Sequence, residues 1–277
     1  MTAALAEQQR PVFVQAASLE LRVAENAAEI EAAQKLRYRV FYEELNAKPT
    51  PEMSAQRRDF DSFDPYCDHL IIIDRAKGEG AAGIIATYRL MRREQASRRG
   101  QFYSIDEYDI SSLVNYRGGI LELGRSCVDP AYRTKAAMNL MWKGIADYIL
   151  HYNIGVLFGC ASFPGTDPEE HRTALSYLHH RHLAPPEYRA RALPGRYVSM
   201  NMMPIEEIDE KRALLSLPPL IKGYLRLGAY VGDGAVVDRQ FGTTDVLIIL
   251  PVEKIDPRYF EHFGMPDEVK SRIAVNA

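Results

Sequence analysis

The chain has 277 residues, 47% of them hydrophobic and 26% charged, which suffices for a buried core and excludes wholesale disorder. A formal net charge of −3 argues against a general nucleic-acid binder. No apolar run of about 18 residues is present to read as a membrane span, and the N-terminus lacks the apolar core of a secretory signal. Three cysteines, Cys67, Cys127 and Cys160, form no CxxC pair and read as reduced thiols of a cytoplasmic protein.

Taken in chain order, residues 1–18 read as a flexible leader and Leu19 to Val23 alternates like a strand. Asn26 opens a helix expected to reach Leu45, with Ile30, Ala33, Leu36, Val40 and Phe41 at helical spacing on one buried face. A polar loop from Asn46 to Cys67 follows, with Pro49, Pro51 and Pro65 and the acidic run DFDSFD at Asp59 to Asp64. A loop of that length inside a compact domain is often functional. Strands are predicted at His69–Asp74 and Ala82–Met91, then a loop crowded by Arg92, Arg93, Arg98 and Arg99, then a strand at Gly119–Val128.

Asp129 and Pro130 are predicted to start a helix running to Tyr152 and burying Met138, Met141, Trp142, Ile145 and Ile149. Strand Ile154–Ser162 and a helix from Thr166 or Asp167 through Leu183 come next. Further along, strands are predicted at Tyr197–Met202 and Val246–Leu250, with a helix at Ile205–Leu215. Pro218 to Ala229 reads as an amphipathic basic helix, suited either to packing on the sheet or to a membrane surface. The alternation of strands and helices reads as α/β, in a single domain from residue 19 with a C-terminal elaboration from about residue 205.

Several chemistries have no signature: GxSxG, GxxxxGK[ST] and HExxH are all absent. The run HHRH at His179 to His182 points in different directions on a helix and reads as a surface cluster, so no metal site is expected. What stands out is charge on strands that otherwise look buried: Arg89 in IIATYRLM, and Glu122 and Arg125 in ILELGRS. Burying an unpaired charge is costly, so these groups are either ion-paired or functional. Glu122 and Arg125 are three apart and should face opposite ways on a regular strand. A bulge would bring them together, and Gly124 is the natural residue to carry it, so one is predicted near Leu123 to Ser126.

The order helix, acidic loop, strand with Arg89, strand with Glu122 and Arg125, then helix resembles the acyl-homoserine-lactone synthases, members of the GNAT-like acyltransferases. The resemblance covers Arg37, Phe41, Asp61, Asp64, Arg89, Glu122 and Arg125. The tryptophan those synthases place after the first helix is replaced by Asn46 and Ala47, which counts against S-adenosylmethionine as substrate. A closer resemblance spans nearly the whole chain. LRYRVFYEEL, FDPYCDHLIIID, LELGRSCVDPAYR, LFGCASFPGTD, PPLIKGYLRLGA and FGTTDV are similar to the L-ornithine Nα-acyltransferases of bacterial ornithine-lipid synthesis.

The resemblance implies a GNAT-like three-layer fold with a central mixed, mostly antiparallel sheet flanked by helices. It implies transfer of a 3-hydroxyacyl group from acyl carrier protein to the α-amine of ornithine, giving lyso-ornithine lipid. No cofactor of its own is expected, because phosphopantetheine arrives on the carrier. Location would be cytoplasmic, with a peripheral contact to the inner membrane face left open.

Aminolysis of a thioester needs a neutral amine and a polarised carbonyl held in line. Glu122 would accept the ammonium proton, or else orient Arg125. Arg125 and Arg89 would bind the amino-acid carboxylate or steady the acidic loop. Asp61 and Asp64 would hold the ammonium groups of a diamine or pair with those arginines. Arg37 would tether the loop to the first helix, and Phe41 would line the acyl channel or belong to the core. The stretch RTKAAM, Arg133 to Met138, lacks the glycines that cradle a pyrophosphate in acetyl-CoA-using relatives. Arg133, Lys135, Arg92 and Arg93 are therefore the candidates for an acidic carrier protein and its phosphopantetheine. Cys127 and Cys160 read as inert core thiols. Two further readings stay open: a synthase using another amine, and a catalytically silent carrier-binding module.

Overall fold

The computed structural model describes residues 12–256. Strands β1 (Phe13–Ala16) and β2 (Leu19–Val23) precede helix α1 (Ala27–Tyr38), which continues into a π-helical turn at Arg39–Glu44. Then come α2 (Pro51–Gln56), β3 (Asp68–Asp74), β4 (Ile84–Arg92), α3 (Arg93–Arg99), β5 (Tyr108–Asp109) and α4 (Ser111–Val114). Strand β6 (Gly119–Val128), α5 (Lys135–His151), β7 (Ile154–Pro164), α6 (Arg172–His182) and β8 (Arg191–Ala192) follow. The described chain closes with α7 (Glu210–Ser216), α8 (Pro219–Arg226), β9 (Tyr230–Asp238) and β10 (Thr243–Pro251).

The described residues fall into two compact units that do not follow chain order, residues 12–91 with Leu123–Asn153, and Arg92–Glu122 with residues 154–256. Within the described residues the chain passes between the units three times, after Met91 in β4, after Glu122 in β6 and after Asn153, and no composition shift marks these points. The predicted leader lies outside the described residues up to residue 11, while Phe13–Ala16 pairs with β2 as a strand.

In the first unit β1, β2, β3 and β4 form an antiparallel ladder. Leu21 lies opposite Ile72, so these two share one face while Ile71 and Ile73 point to the other. Helix α5 covers the Leu21 face at close range. A Cβ on Gly144 would sit 2.3 Å from the Leu21 side chain, so only glycine lets this helix lie so near the strand. Helix α1 covers the opposite face, where Ala33, Leu36 and Val40 pack with Ile71, Ile73, Ile84 and Cys127. Asn26 caps α1 by accepting from the Glu29 N–H at 3.0 Å, which fixes where the helix enters that face. Phe41 packs against the same core, the second of the two roles open to it.

In the second unit β6 runs parallel to β7 from Gly119 to Glu122. Strand β7 pairs antiparallel with β10, and β10 antiparallel with β9. Strands β9 and β8 are parallel, β8 and β5 antiparallel. The ladders are thus mixed and mostly antiparallel. Glu122 lies opposite Phe158, Cys160 opposite Leu247, and Ser162 opposite Asp245, so Glu122 and Asp245 share one face of this ladder.

Some predicted elements shift. The loop after α1 contains α2, capped by Thr50 with Pro51 at its first turn, and the arginine-rich loop is α3, ended by Gly100 in the left-handed region. The turn at Asp129 and Pro130 is a 3₁₀ segment, and α5 starts at Lys135 under a Thr134 cap. Met138 faces outward rather than into the core. Tyr197–Met202 is irregular, with a single bridge from Val198 to Ala235.

Candidate active site

The charged residues singled out in the sequence sort into two constellations. The first occupies the α1 face of the first unit. Opposite each other on β3 and β4 stand His69 and Arg89, on the same face as Ile71. Arg37 of α1 is fully buried and donates from Nε to Asp59 Oδ2 at 2.7 Å and from Nη2 to Asp64 Oδ2 at 2.9 Å. Arg89 donates from Nη1 to Asp61 at 2.7 Å and to Asp64 at 3.1 Å, with its guanidinium over the Phe63 ring. Arg125 lies 3.4 Å from Asp59 Oδ2 and 3.4 Å from Asp61 Oδ2.

Three guanidinium groups therefore meet three carboxylates. Burial pushes the carboxyls of Asp61 and Asp64 up, but the arginines outweigh it and both end below the usual carboxylate range. Burial and Arg37 push His69 down, so it enters as a neutral ring, its Nε2 3.1 Å from the Asp64 carbonyl. Of the two roles open to Asp61 and Asp64, the geometry gives them ion pairing with the arginines, and it gives Arg37 the tether between α1 and the acidic loop.

Arg125 has φ +54°, the left-handed region, in the middle of β6. A bulge is expected near Leu123 to Ser126; what stands there is this left-handed residue, and Gly124 is not among the positive-φ residues. A non-glycine residue held there costs about 1–3 kcal/mol and marks a position over-determined by its surroundings.

The second constellation belongs to the second unit. Glu122, buried on β6, accepts from the Tyr103 N–H at 2.7 Å, the Ser104 N–H at 2.7 Å and the Ser104 hydroxyl at 2.6 Å. The same Ser104 oxygen is 3.9 Å from Cys160 Sγ, and Cys160 donates to Glu107 Oε2 at 3.3 Å. Glu107, Asp238 and Asp245 bring carboxylate oxygens within 4.8 Å of one another. Burial, and then Asp245, push the Glu107 carboxyl up to about 7. Arg196 lies 3.4 Å from Glu107.

A profile of the acetyltransferase (GNAT) domain family matches residues 36–143. An L-ornithine N(alpha)-acyltransferase of Rhizobium meliloti (strain 1021) is 50% identical over 94% of this chain and 89% of its own. Another, from Brucella abortus (strain 2308), is 51% identical over 89% of each chain. The chain belongs to the L-ornithine N(alpha)-acyltransferase family. Among solved structures, FeeM, an N-acyl amino acid synthase from uncultured soil microbes, is similar with a TM-score of 0.44 and 12% identity, over 88% of this chain and 93% of that one.

Within this family member the other candidate residues divide. Arg93 donates to the carbonyls of Tyr116 at 2.7 Å and Gly118 at 3.2 Å and also to that of Val114, so it braces the turn before β6. Arg92 lies 3.7 Å from Glu94. Arg133 makes a forked pair with Glu44 at 2.5 and 2.7 Å, and Lys135 is exposed at the first turn of α5. Helix α8 buries Ile221 and Tyr224, so its apolar stripe serves packing inside its own unit. At the histidine run, His180 meets the Met203 carbonyl and His182 the Tyr177 hydroxyl. Burial pushes the Cys127 thiol up to about 12 and, with Glu107 and Asp245, the Cys160 thiol well above its ordinary value.

Sequence reasoning passed over Asp59, Ser104, Glu107 and Asp245. Asp59 opens the acidic run and Asp245 ends the string FGTTD, so both sit in stretches already marked. Ser104 and Glu107 had no signal beyond an ordinary polar segment, YSIDE.

Proposed function

We propose that the protein acylates the α-amine of ornithine with a 3-hydroxyacyl group delivered on acyl carrier protein, releasing lyso-ornithine lipid and the carrier thiol. The observation that carries this reading is the 50% identity, over almost the full length of both chains, to a protein named for acylating that amine. In the reaction the carbonyl–sulfur bond breaks and an amide carbon–nitrogen bond forms, while the ammonium nitrogen loses two of its three protons, one to the base and one to the leaving sulfur.

Glu122 is the proton acceptor, directly or through water, with its carboxylate fixed by Tyr103 and Ser104. A positioned base contributes about 10²–10⁴-fold. Arg125 receives the amino-acid carboxylate, since it stands at the more open edge of its cluster, beside the partly exposed Asp61. Arg89 and Arg37, spent on the acidic loop, hold that edge in place. Peptide N–H groups at the left-handed turn around Arg125 are assigned to the oxyanion, a role worth about 2.7–4 kcal/mol in comparable sites.

The carrier's phosphate and acidic surface meet Lys135 and Arg133 at the start of α5, where a helix N-terminus also favours anions. Arg92 and Arg93 are the weaker carrier candidates, Arg93 being spent on three carbonyls. No helix among the described residues is long and apolar enough to cross a membrane. Action in the cytoplasm, with the product handed to the inner membrane face, fits the reading.

The test is competition. Purified protein is given 3-hydroxyacyl carrier protein with equimolar ornithine, lysine, glycine and S-adenosylmethionine, and products are identified by mass spectrometry. N-acyl-ornithine as the main product supports the assignment; preference for any of the others sinks it. Replacing the carrier thioester by the same acyl group on coenzyme A tests the donor, with much slower turnover expected.

A further inference from the structure

We infer that Asp59 is a positioning residue for Arg125, acting through that guanidinium on the amino-acid substrate. The inference rests on the reading of Arg125 given above. Asp59 is only 1% exposed, and its grip comes from α1 and the turn that follows it. Its N–H donates to the Gln34 carbonyl at 3.1 Å, and its own carbonyl accepts from Arg37 Nη2 at 2.7 Å. Its carboxylate accepts from Arg37 Nε at 2.7 Å on Oδ2 and from the Tyr42 hydroxyl at 2.9 Å on Oδ1. Four bonds thus fix both the peptide and the side chain. The oxygen that takes Arg37 Nε is also the one 3.4 Å from Arg125 Nε.

The Tyr42 contribution is specific to the local helix geometry. Tyr42 lies within the π-helical turn, whose wider winding is marked by the Leu45 N–H reaching the Val40 carbonyl at 3.0 Å. Such turns are rare and recur at functional sites.

Arg125 needs this support because of its own backbone. Its left-handed φ sends the side chain off along a direction that the alternation of a strand does not set. Two carboxylates then define where the guanidinium stops, Asp59 at Nε and Asp61 at Nη2. Asp61 is the more exposed of the two and is shared with Arg89, whereas Asp59 is clamped. Asp59 is the fixed reference, and it acts on Nε as a charge 3.4 Å away rather than as a hydrogen-bond acceptor.

The experiment measures steady-state kinetics of Asp59→Asn and Tyr42→Phe with 3-hydroxyacyl carrier protein and ornithine, normalised to folded protein. Asp59→Asn is expected to raise KM for ornithine about tenfold or more, as misplacement of a binding group does. KM for the acyl carrier should stay within about twofold. Tyr42→Phe, which removes only the hydroxyl bond, should move the ornithine KM in the same direction by a smaller factor. In an Arg125→Lys background, Asp59→Asn should add nothing, because the group it positions has gone. A fall in thermal stability with both KM values unchanged, or full additivity with Arg125→Lys, would overturn the proposal.

A readout that needs no turnover separates it from the functional reading. In nitrogen-15 spectra the Arg125 Nε signal should change its chemical shift in Asp59→Asn, because the carboxylate charge 3.4 Å from it is removed. Wild-type protein that leaves ornithine unacylated sinks the substrate assignment, while an Arg125 signal unaltered by Asp59→Asn sinks the positioning role.

Discussion

In the first unit Arg37, Arg89 and Arg125 face Asp59, Asp61 and Asp64, whereas in the second Glu107, Asp238 and Asp245 gather with Arg196 3.4 Å from Glu107. The paired cluster holds Asp61 and Asp64 below the carboxylate range, while the carboxylate group drives Glu107 up to about 7. Similar burial at Asp64 and Glu107 therefore yields opposite outcomes, decided by whether a counter-charge came with the fold. A cluster balanced by its own arginines is a scaffold that fixes geometry. A carboxylate group short of cations keeps a proton near neutrality.

The largest expected effect breaks neither cluster but the carboxylate on β6. Glu122→Gln should lower turnover by about 10²–10⁴-fold in a thioester-aminolysis assay, while the far-ultraviolet circular dichroism stays native. Turnover within about threefold of wild type would remove Glu122 as the base. Next, Arg37→Met takes one cation from the balanced cluster and removes the fully buried donor that Asp59 and Asp64 share. Urea unfolding should show a loss of about 3–5 kcal/mol, and a loss under about 1 kcal/mol would mean the balance is not what holds the loop.

Glu107→Gln tests the contrasting cluster, with a gain expected where Arg37→Met gives a loss. A carboxyl raised in the folded state contributes stability that is complete below the unfolded value and lost as pH rises through the folded one, here from about 4.5 to about 7. The glutamine variant should melt above wild type at pH 8, by on the order of 2–3 kcal/mol, and lose that advantage at pH 4. Asp64 runs the other way, with stability present above the unfolded value near 3.8 and lost as pH falls below it. The smallest effect concerns the backbone at φ +54°. Arg125→Gly and Arg125→Ala both lose the guanidinium, yet the glycine variant should be the more stable by about 1 kcal/mol, read as a difference in Tm.

Where local chemistry decides the structure, the sequence was legible. Asn26 at the start of α1, the apolar spacing that carries Leu36 and Val40 inward, and the charged residues on β4 and β6 all announced themselves. Arg89 and Glu122 stood out because an ionic group among isoleucines and leucines has to be paired or used. Other features depend on contacts that no window of sequence contains. Strand β9, YVGDGAVVD, drew no expectation from the sequence, and its glycines answer to space: a Cβ at Gly232 would meet the Ala190 carbonyl and one at Gly234 the Tyr197 ring. The conversion of α1 into a π turn at Arg39 leaves no compositional trace. Asp59 went unremarked beside Asp61 and Asp64 because its importance comes from Tyr42 and Arg37, 17 and 22 residues away. Gly124 was chosen for the bulge on conformational grounds, but the left-handed backbone stands at Arg125 instead.

The thiols of Cys127 on β6 and Cys160 on β7 have a consequence for the fate of the acyl group. A thioester in the company of a reactive thiolate exchanges with it, and the enzyme would then acylate itself. At neutral pH a thiol with its pKa near 12 is ionised in about one molecule in 10⁵. Cys160, pushed up by the neighbouring carboxylates as well as by burial, is similarly silent. Neither Cys127 nor Cys160 therefore competes with the amine for the acyl chain.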